Sequence, residues 1–146
     1  MSAKVNAPRE DVTYKIIGTA MAVHNDLGPG HREEVYQKAM ETRLLDSGLV
    51  VEEQVPAEIA LDGGSLLTYI LDLLVEREVI VELKALSHPI TNDDIAQVID
   101  YLAATGLPIA LLLNFGRTRL EFRRIFPPAK IAVHRRRQWT KPAVPG

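Results

Sequence analysis

Three charged residues interrupt two otherwise apolar stretches. Asp72 sits among Leu71, Leu73, Leu74 and Val75, and Glu82 and Lys84 sit within Val79-Ile80-Val81-Glu82-Leu83-Lys84-Ala85-Leu86. A charge inside an apolar strand is costly to bury unless something compensates it. Strand side chains alternate faces, so Glu82 and Lys84 share one face. A turn centred on Arg77 would place 75 opposite 79, 74 opposite 80, 73 opposite 81 and Asp72 opposite Glu82. Directly opposed Cβ atoms lie about 5 Å apart, close enough for two carboxylates to repel. A divalent cation would turn that repulsion into coordination, and an all-oxygen set favours Mg²⁺ or Mn²⁺ over zinc. Lys84, one step along the strand, could hold a water or neutralise charge on a phosphoryl group. A cross-strand salt bridge of Lys84 with Asp72 or Glu82 would explain the same residues without chemistry.

The elements that must position these residues follow from periodicity. Ile16, Ile17, Ala20 and Val23 make an apolar stripe that predicts a helix over about 11–25, ended by Gly28-Pro29-Gly30. Val35, Ala39, Met40 and Leu44 predict a second helix over about 32–47, with Gly48 as its C-terminal glycine. Residues 49–58 read as an irregular or edge strand interrupted by Pro56. Asp62-Gly63-Gly64 marks a turn. Strands are predicted over 66–75 and 79–86, the second rich in β-branched residues. Thr91 and Asp94 open a third helix through a capping-box-like start, and Gly106-Leu107-Pro108 ends it. Ile109 to Leu113 is a continuous apolar run, the kind buried on both faces. A last strand is predicted over 120–126. The order ααβββαββ, with a helix crossing between neighbouring strands, predicts an α/β fold: a mixed β-sheet flanked by helices. The expected domain spans 11–126, between a flexible leader (1–10) and a poorly ordered basic tail (127–146).

Composition removes several alternatives. No cysteine is present, which excludes a disulfide framework, a thiolate zinc site and a cysteine nucleophile, and fits a cytoplasmic protein. His24, His31, His88 and His134 lack metal-site spacing. No serine stands in a nucleophile elbow, and Gly28-Pro29-Gly30 lacks the ending of a phosphate loop. The net charge of −2 conceals an asymmetry: residues 1–116 carry 8 Lys/Arg against 18 Asp/Glu, and residues 117–146 carry 9 against 1. The run Arg135-Arg136-Arg137 is a candidate for nucleic-acid contact. A solvated tail that balances an acidic body explains it equally well.

Asp72 followed by Glu82-Leu83-Lys84 resembles the PD-(D/E)XK nuclease core, a restriction-endonuclease-like fold. Gly30-His31-Arg32-Glu33-Glu34-Val35-Tyr36 is similar to the motif of the GxxExxY family, a bacterial and archaeal branch of that superfamily. Gln97 and Tyr101, followed by Leu102, match its helix pattern, and Leu111 to Gly116 match its late strand and turn. The resemblance runs from about Tyr14 to Ile125. It implies a Mg²⁺- or Mn²⁺-dependent nuclease. In that reading Asp72 and Glu82 are the main metal ligands, Glu33 adds a metal or metal-water ligand, Lys84 is the catalytic lysine, and Gln97 assists from the third helix. Tyr36 and Tyr101 pack or bond near the site. Leu71 stands where the motif has proline, a replacement common in the superfamily. The substrate implied is nucleic acid, DNA rather than RNA, with no membrane association. By fold analogy alone, a core this small calls for a homodimer or partner to grip a duplex. The rival reading is a non-catalytic nucleic-acid- or protein-binding module that keeps the fold. Taken singly, Glu33 could merely complement a helix dipole, and Gln97 and Tyr101 could lie on a solvated helix face.

Overall fold

A computed structural model describes residues 9–129. Arg135, Arg136 and Arg137, and most of the expected leader and tail, lie outside those residues. The element order is α1 (Glu10–Leu27), α2 (Glu33–Asp46), β1 (Val51–Ala60), a short 3-10 turn (Asp62–Gly64), β2 (Leu66–Val75), β3 (Val79–Lys84), α3 (Asn92–Thr105), β4 (Ile109–Asn114) and β5 (Glu121–Ile125). This is the ααβββαββ order read from the sequence.

The strands form one five-stranded sheet in chain order. All neighbours are antiparallel except β3 and β4, which run parallel because α3 crosses over between them. α3 begins with a complete capping box: the Thr91 side chain accepts from the Asp94 amide, and the Asp94 side chain accepts from the Thr91 amide. Gly106 ends it in the left-handed conformation, φ 70°.

Two apolar layers hold the sheet. On one face, Ile16, Ala20 and Val23 of α1 and Met40 and Leu44 of α2 cover Leu73, Val75, Val79, Val81 and Leu111. On the other, Val98, Tyr101 and Leu102 of α3 cover Leu71, Leu74, Ile80, Ala110 and Leu112. β4 is buried at every position. One detail of the predicted stripe on α2 is corrected. Val35 is 40% exposed, and Tyr36 is the buried residue in that turn, stacked on Phe115 with ring centroids 4.7 Å apart. Its hydroxyl donates to the Gly28 carbonyl and accepts from the His31 amide, so a polar handle rather than lack of polarity admits it to the core.

Strand alternation breaks at one place. Leu73 and Val75 face α1 and α2, yet Leu71, two residues earlier, faces α3. On β1, Val51 and Val55 are likewise divided between the two layers. Between them Gln54 has φ 49°, inside the left-handed region. The β1–β2 ladder omits the pair of Gln54 with Asp72, and the β2–β3 ladder ends at Leu73↔Val81. The sheet therefore forks at Asp72: the far half of β2 continues with β1 alone.

β3 ends at Lys84, two residues before the sequence limit. Beyond it the chain is held by other means. Gly116 packs so tightly on Ala85 and Leu86 that a Cβ there would collide with the Leu86 carbonyl. Gly116→Ala is expected to destabilise the protein by about 1–3 kcal/mol, as overpacking does. Gly18, exposed on α1 with nothing within 4 Å of a Cβ, supplies the control. Gly18→Ala should leave stability unchanged or raise it by up to about 1 kcal/mol. Urea unfolding of both variants checks the contrast.

Candidate metal centre

The fork places functional side chains where the ladder can no longer use them. Asp72 Oδ2 accepts from the Leu83 amide at 2.9 Å, taking a donor on the β2 side of β3 at the point where the described ladder has already ended. The expected register is present up to Leu73↔Val81. The expected next pair, Asp72 across from Glu82, is replaced by this side-chain bond. The two carboxyl groups nonetheless meet, close enough to share a hydrogen bond.

Glu82 is 5% exposed. Burial, then the hydrogen bond and charge of Asp72, push its pKa up to about 10, against a smaller lowering by Lys84. The raised pKa keeps Glu82 protonated at neutral pH. Glu82 Oε2 is buried and has no hydrogen-bond partner among the described residues.

Lys84 points to the same face as Glu82. Its Nζ donates to Gln97 Oε1 at 3.0 Å. No ion pair involves Lys84 among the described residues, so the simple salt bridge with Asp72 or Glu82 is not formed. An ammonium has three donors, and one is spent on Gln97.

Glu33 enters from the first turn of α2. Although the residue is exposed, its carboxylate accepts from the Ala85 amide. Partial burial raises its pKa; the Lys84 charge opposes the rise and the Asp72 charge adds to it. Tyr101 closes the inner side from α3. Burial and the nearby Glu82 and Asp72 charges push its hydroxyl above the usual tyrosine range, and its ring meets Tyr69 edge-on at 5.1 Å. The structure thus brings Glu33, Asp72, Glu82, Lys84 and Gln97 to one end of the sheet, with Tyr101 beside them.

Sequence reasoning assigned no role to Asn114, which anchors that end. It is fully buried. Its Oδ1 accepts from the amides of Leu86 (2.9 Å) and Gly116 (3.1 Å), and its Nδ2 donates to the His88 carbonyl (3.1 Å) and Glu121 Oε1 (3.3 Å). The full hydrogen-bonding capacity of one amide fixes the chain just past Lys84. The available signal was a polar residue closing an all-apolar strand.

The donor set fits a hard divalent cation. An orphaned carboxylate oxygen and two carboxyl groups forced together are what such an ion would relieve. No group of three or more His, Cys, Asp or Glu side chains converges into a ready-made cage among the described residues. Mg²⁺ needs none, since it is usually held by one or two carboxylates and completes its shell with water and phosphate.

Fold and site together define an α/β protein with an acidic, lysine-flanked centre at the fork of a mixed sheet. The family model of the PD-(D/E)XK nuclease superfamily matches residues 10–125, and the chain belongs to that superfamily. The superfamily is one of nucleases, which typically use divalent metals. The crystal structure of a protein designated SSO0001 has a similar fold, with a TM-score of 0.54 and 16% identity over 68% of this chain. This chain spans about half of that protein, 54% of its length. No curated protein matches significantly. No helix among the described residues is long and apolar enough to cross a membrane.

The proton held by Glu82 makes stability pH-dependent. Glu82 has a folded-state pKa near 10 against an ordinary 4.5, so the folded state binds more protons than the unfolded state between those values. Its contribution is fully present below about pH 4.5 and lost as pH rises toward 10. In EDTA, denaturant unfolding of the wild type should show stability falling from pH 6 to pH 9 through this group, and Glu82→Gln should flatten that fall. Equal slopes in both proteins would contradict the assignment.

Proposed function

We propose that this protein is a metal-dependent nuclease of the GxxExxY branch, hydrolysing phosphodiester bonds at the Asp72–Glu82–Lys84 centre. The observation that carries the reading is the buried Glu82 carboxyl with an orphaned oxygen, close to half-buried Asp72 and set beside a lysine whose Nζ is held by a neutral amide. Asp72 and Glu82 would hold Mg²⁺ or Mn²⁺, with Glu33 as a further ligand to the ion or its water. When bound, such an ion supplies Lewis acidity toward the phosphoryl oxygen and a more acidic water.

The chain's own residues do the rest. The Leu83 amide fixes one oxygen of Asp72 and so orients the other. The two remaining Lys84 donors can hold the attacking water or stabilise charge that grows on the phosphoryl oxygens. Gln97 sets the direction of the ammonium, which makes it a positioning residue. The absence of cysteine fits a reducing cytoplasm, and DNA is favoured over RNA as substrate. Arg135, Arg136 and Arg137 remain candidates for phosphate contact, and a homodimer or partner remains a candidate for gripping a duplex.

The test is cleavage of single- and double-stranded DNA and RNA with Mg²⁺ or Mn²⁺. Wild type should cleave, and Asp72→Ala and Lys84→Ala should each lose activity by about 100-fold or more, the scale for removing one group that stabilises developing charge. Addition of Mg²⁺ should raise the thermal midpoint of the wild type and leave Asp72→Ala nearly unmoved, because only the intact pair binds the ion. A folded wild type that gains stability from the ion yet cleaves nothing would favour a non-catalytic binding module.

A further inference from the structure

Seven of the eleven Lys and Arg side chains among the described residues are engaged, five of them by carboxylates, with Lys84 on Gln97. Arg9, Lys38, Arg43, Arg77 and Arg123 are each in an ion pair, and Arg124 donates to Thr13. Arg32, Arg117 and Arg119 differ. All three are exposed, and none of their side chains enters an ion pair or hydrogen bond with another described residue.

These three are also gathered at the metal-centre end of the sheet. Arg32 immediately precedes Glu33. Arg117 follows Gly116, which lies against Ala85 and Leu86, the two residues after Lys84. Lys84 pairs with Asn114 and Asn114 with Glu121, so the turn carrying Arg117 and Arg119 stands on the row of Lys84. Two strand spacings put the start of β5 roughly 10 Å from β3.

The backbone is tied down at Arg117 and close to Arg32. His24 Nε2 bonds the Arg117 carbonyl at 2.8 Å. The stacked Tyr36 and Phe115 rings tie the start of α2 to the β4–β5 turn. Exposed guanidinium groups gathered beside an acidic centre match an anionic chain laid across that centre.

We propose that Arg32 on one side and Arg117 with Arg119 on the other hold the phosphodiester backbone of the substrate strand as it crosses the Ala85–Leu86 segment. The assignment rests on the nuclease reading and gives that reading its binding surface. It places a grip among the described residues, in addition to the candidate run Arg135–Arg137.

The experiment measures binding of fluorescein-labelled 20-nucleotide DNA and RNA strands by anisotropy over a salt series. The full-length Glu82→Gln variant serves as the parent, so that the probe survives in Mg²⁺. Replacing Arg32, Arg117 and Arg119 together by Gln should weaken binding at least tenfold. It should also lower the slope of log affinity against log salt by roughly 2, since each phosphate contact on a single strand contributes about 0.7. Lys15→Gln is the control. Lys15 is exposed on α1, nine residues before His24 and so roughly 13 Å along the helix, and its loss should move neither quantity. The DNA and RNA arms show which sugar the surface accepts. If the triple variant keeps affinity and slope while wild type cleaves in parallel, the nuclease reading stands and this surface is wrong. If wild type cleaves nothing and the parent binds neither probe, both readings fail together.

Discussion

Burial and the like charge of Asp72 act in the same direction on Glu82, and both oppose its ionisation. A sheet interior could satisfy this pair by neutralising it with a lysine, but Lys84 is turned aside onto Gln97. The centre is thus left with a proton where a cation would fit. Such a pair is worth little to stability by itself, because desolvating charge costs more than imperfect pairing returns. What the arrangement leaves is an orphaned carboxylate oxygen at Glu82, the kind of group a hard cation would satisfy.

The fork in the sheet makes this possible. Had β2 stayed paired with β3, the Leu83 amide would have found a backbone carbonyl and Asp72 a face of the sheet. Because β2 departs, the Asp72 side chain takes the amide and comes to rest beside Glu82. The departure is managed by backbone at Gln54, not by an inserted residue, since the β1–β2 register is continuous on either side of it. On the other flank, Asn114, Gly116 and the Glu33 carboxylate take charge of the segment after Lys84, so the lysine projects from a rigid strand end.

Much of this was legible in the residues. The turn around Arg77 predicted the pairs from Val75↔Val79 to Leu73↔Val81, and the structure has them. Thr91 and Asp94 announced the start of α3. The limits of the reading have physical causes. The end of β3 was placed too late because Ala85 and Leu86 are apolar, and their amides go to Glu33 and Asn114, partners that no local pattern reveals. The change of face at Gln54 carries no glycine to mark it. Val35 was placed in the buried stripe because hydrophobic periodicity ranks valine above tyrosine, whereas Tyr36, expected to pack or bond near the site, holds that place through stacking on Phe115 and two hydrogen bonds. The meeting of Gln97 with Lys84 is a long-range contact that spacing alone does not contain.

The topology also separates the centre's parts in folding time. Asp72 and Glu82 belong to one hairpin, whose closure spans only ten residues and is fast. The parallel pairing of β3 with β4 waits on the α3 crossover, and contacts of that sequence separation form more slowly. Gln97 and Asn114 arrive with that second event. The nascent fold therefore assembles its carboxylates before it restrains its lysine, and the acidic half of the centre exists before the basic half is set.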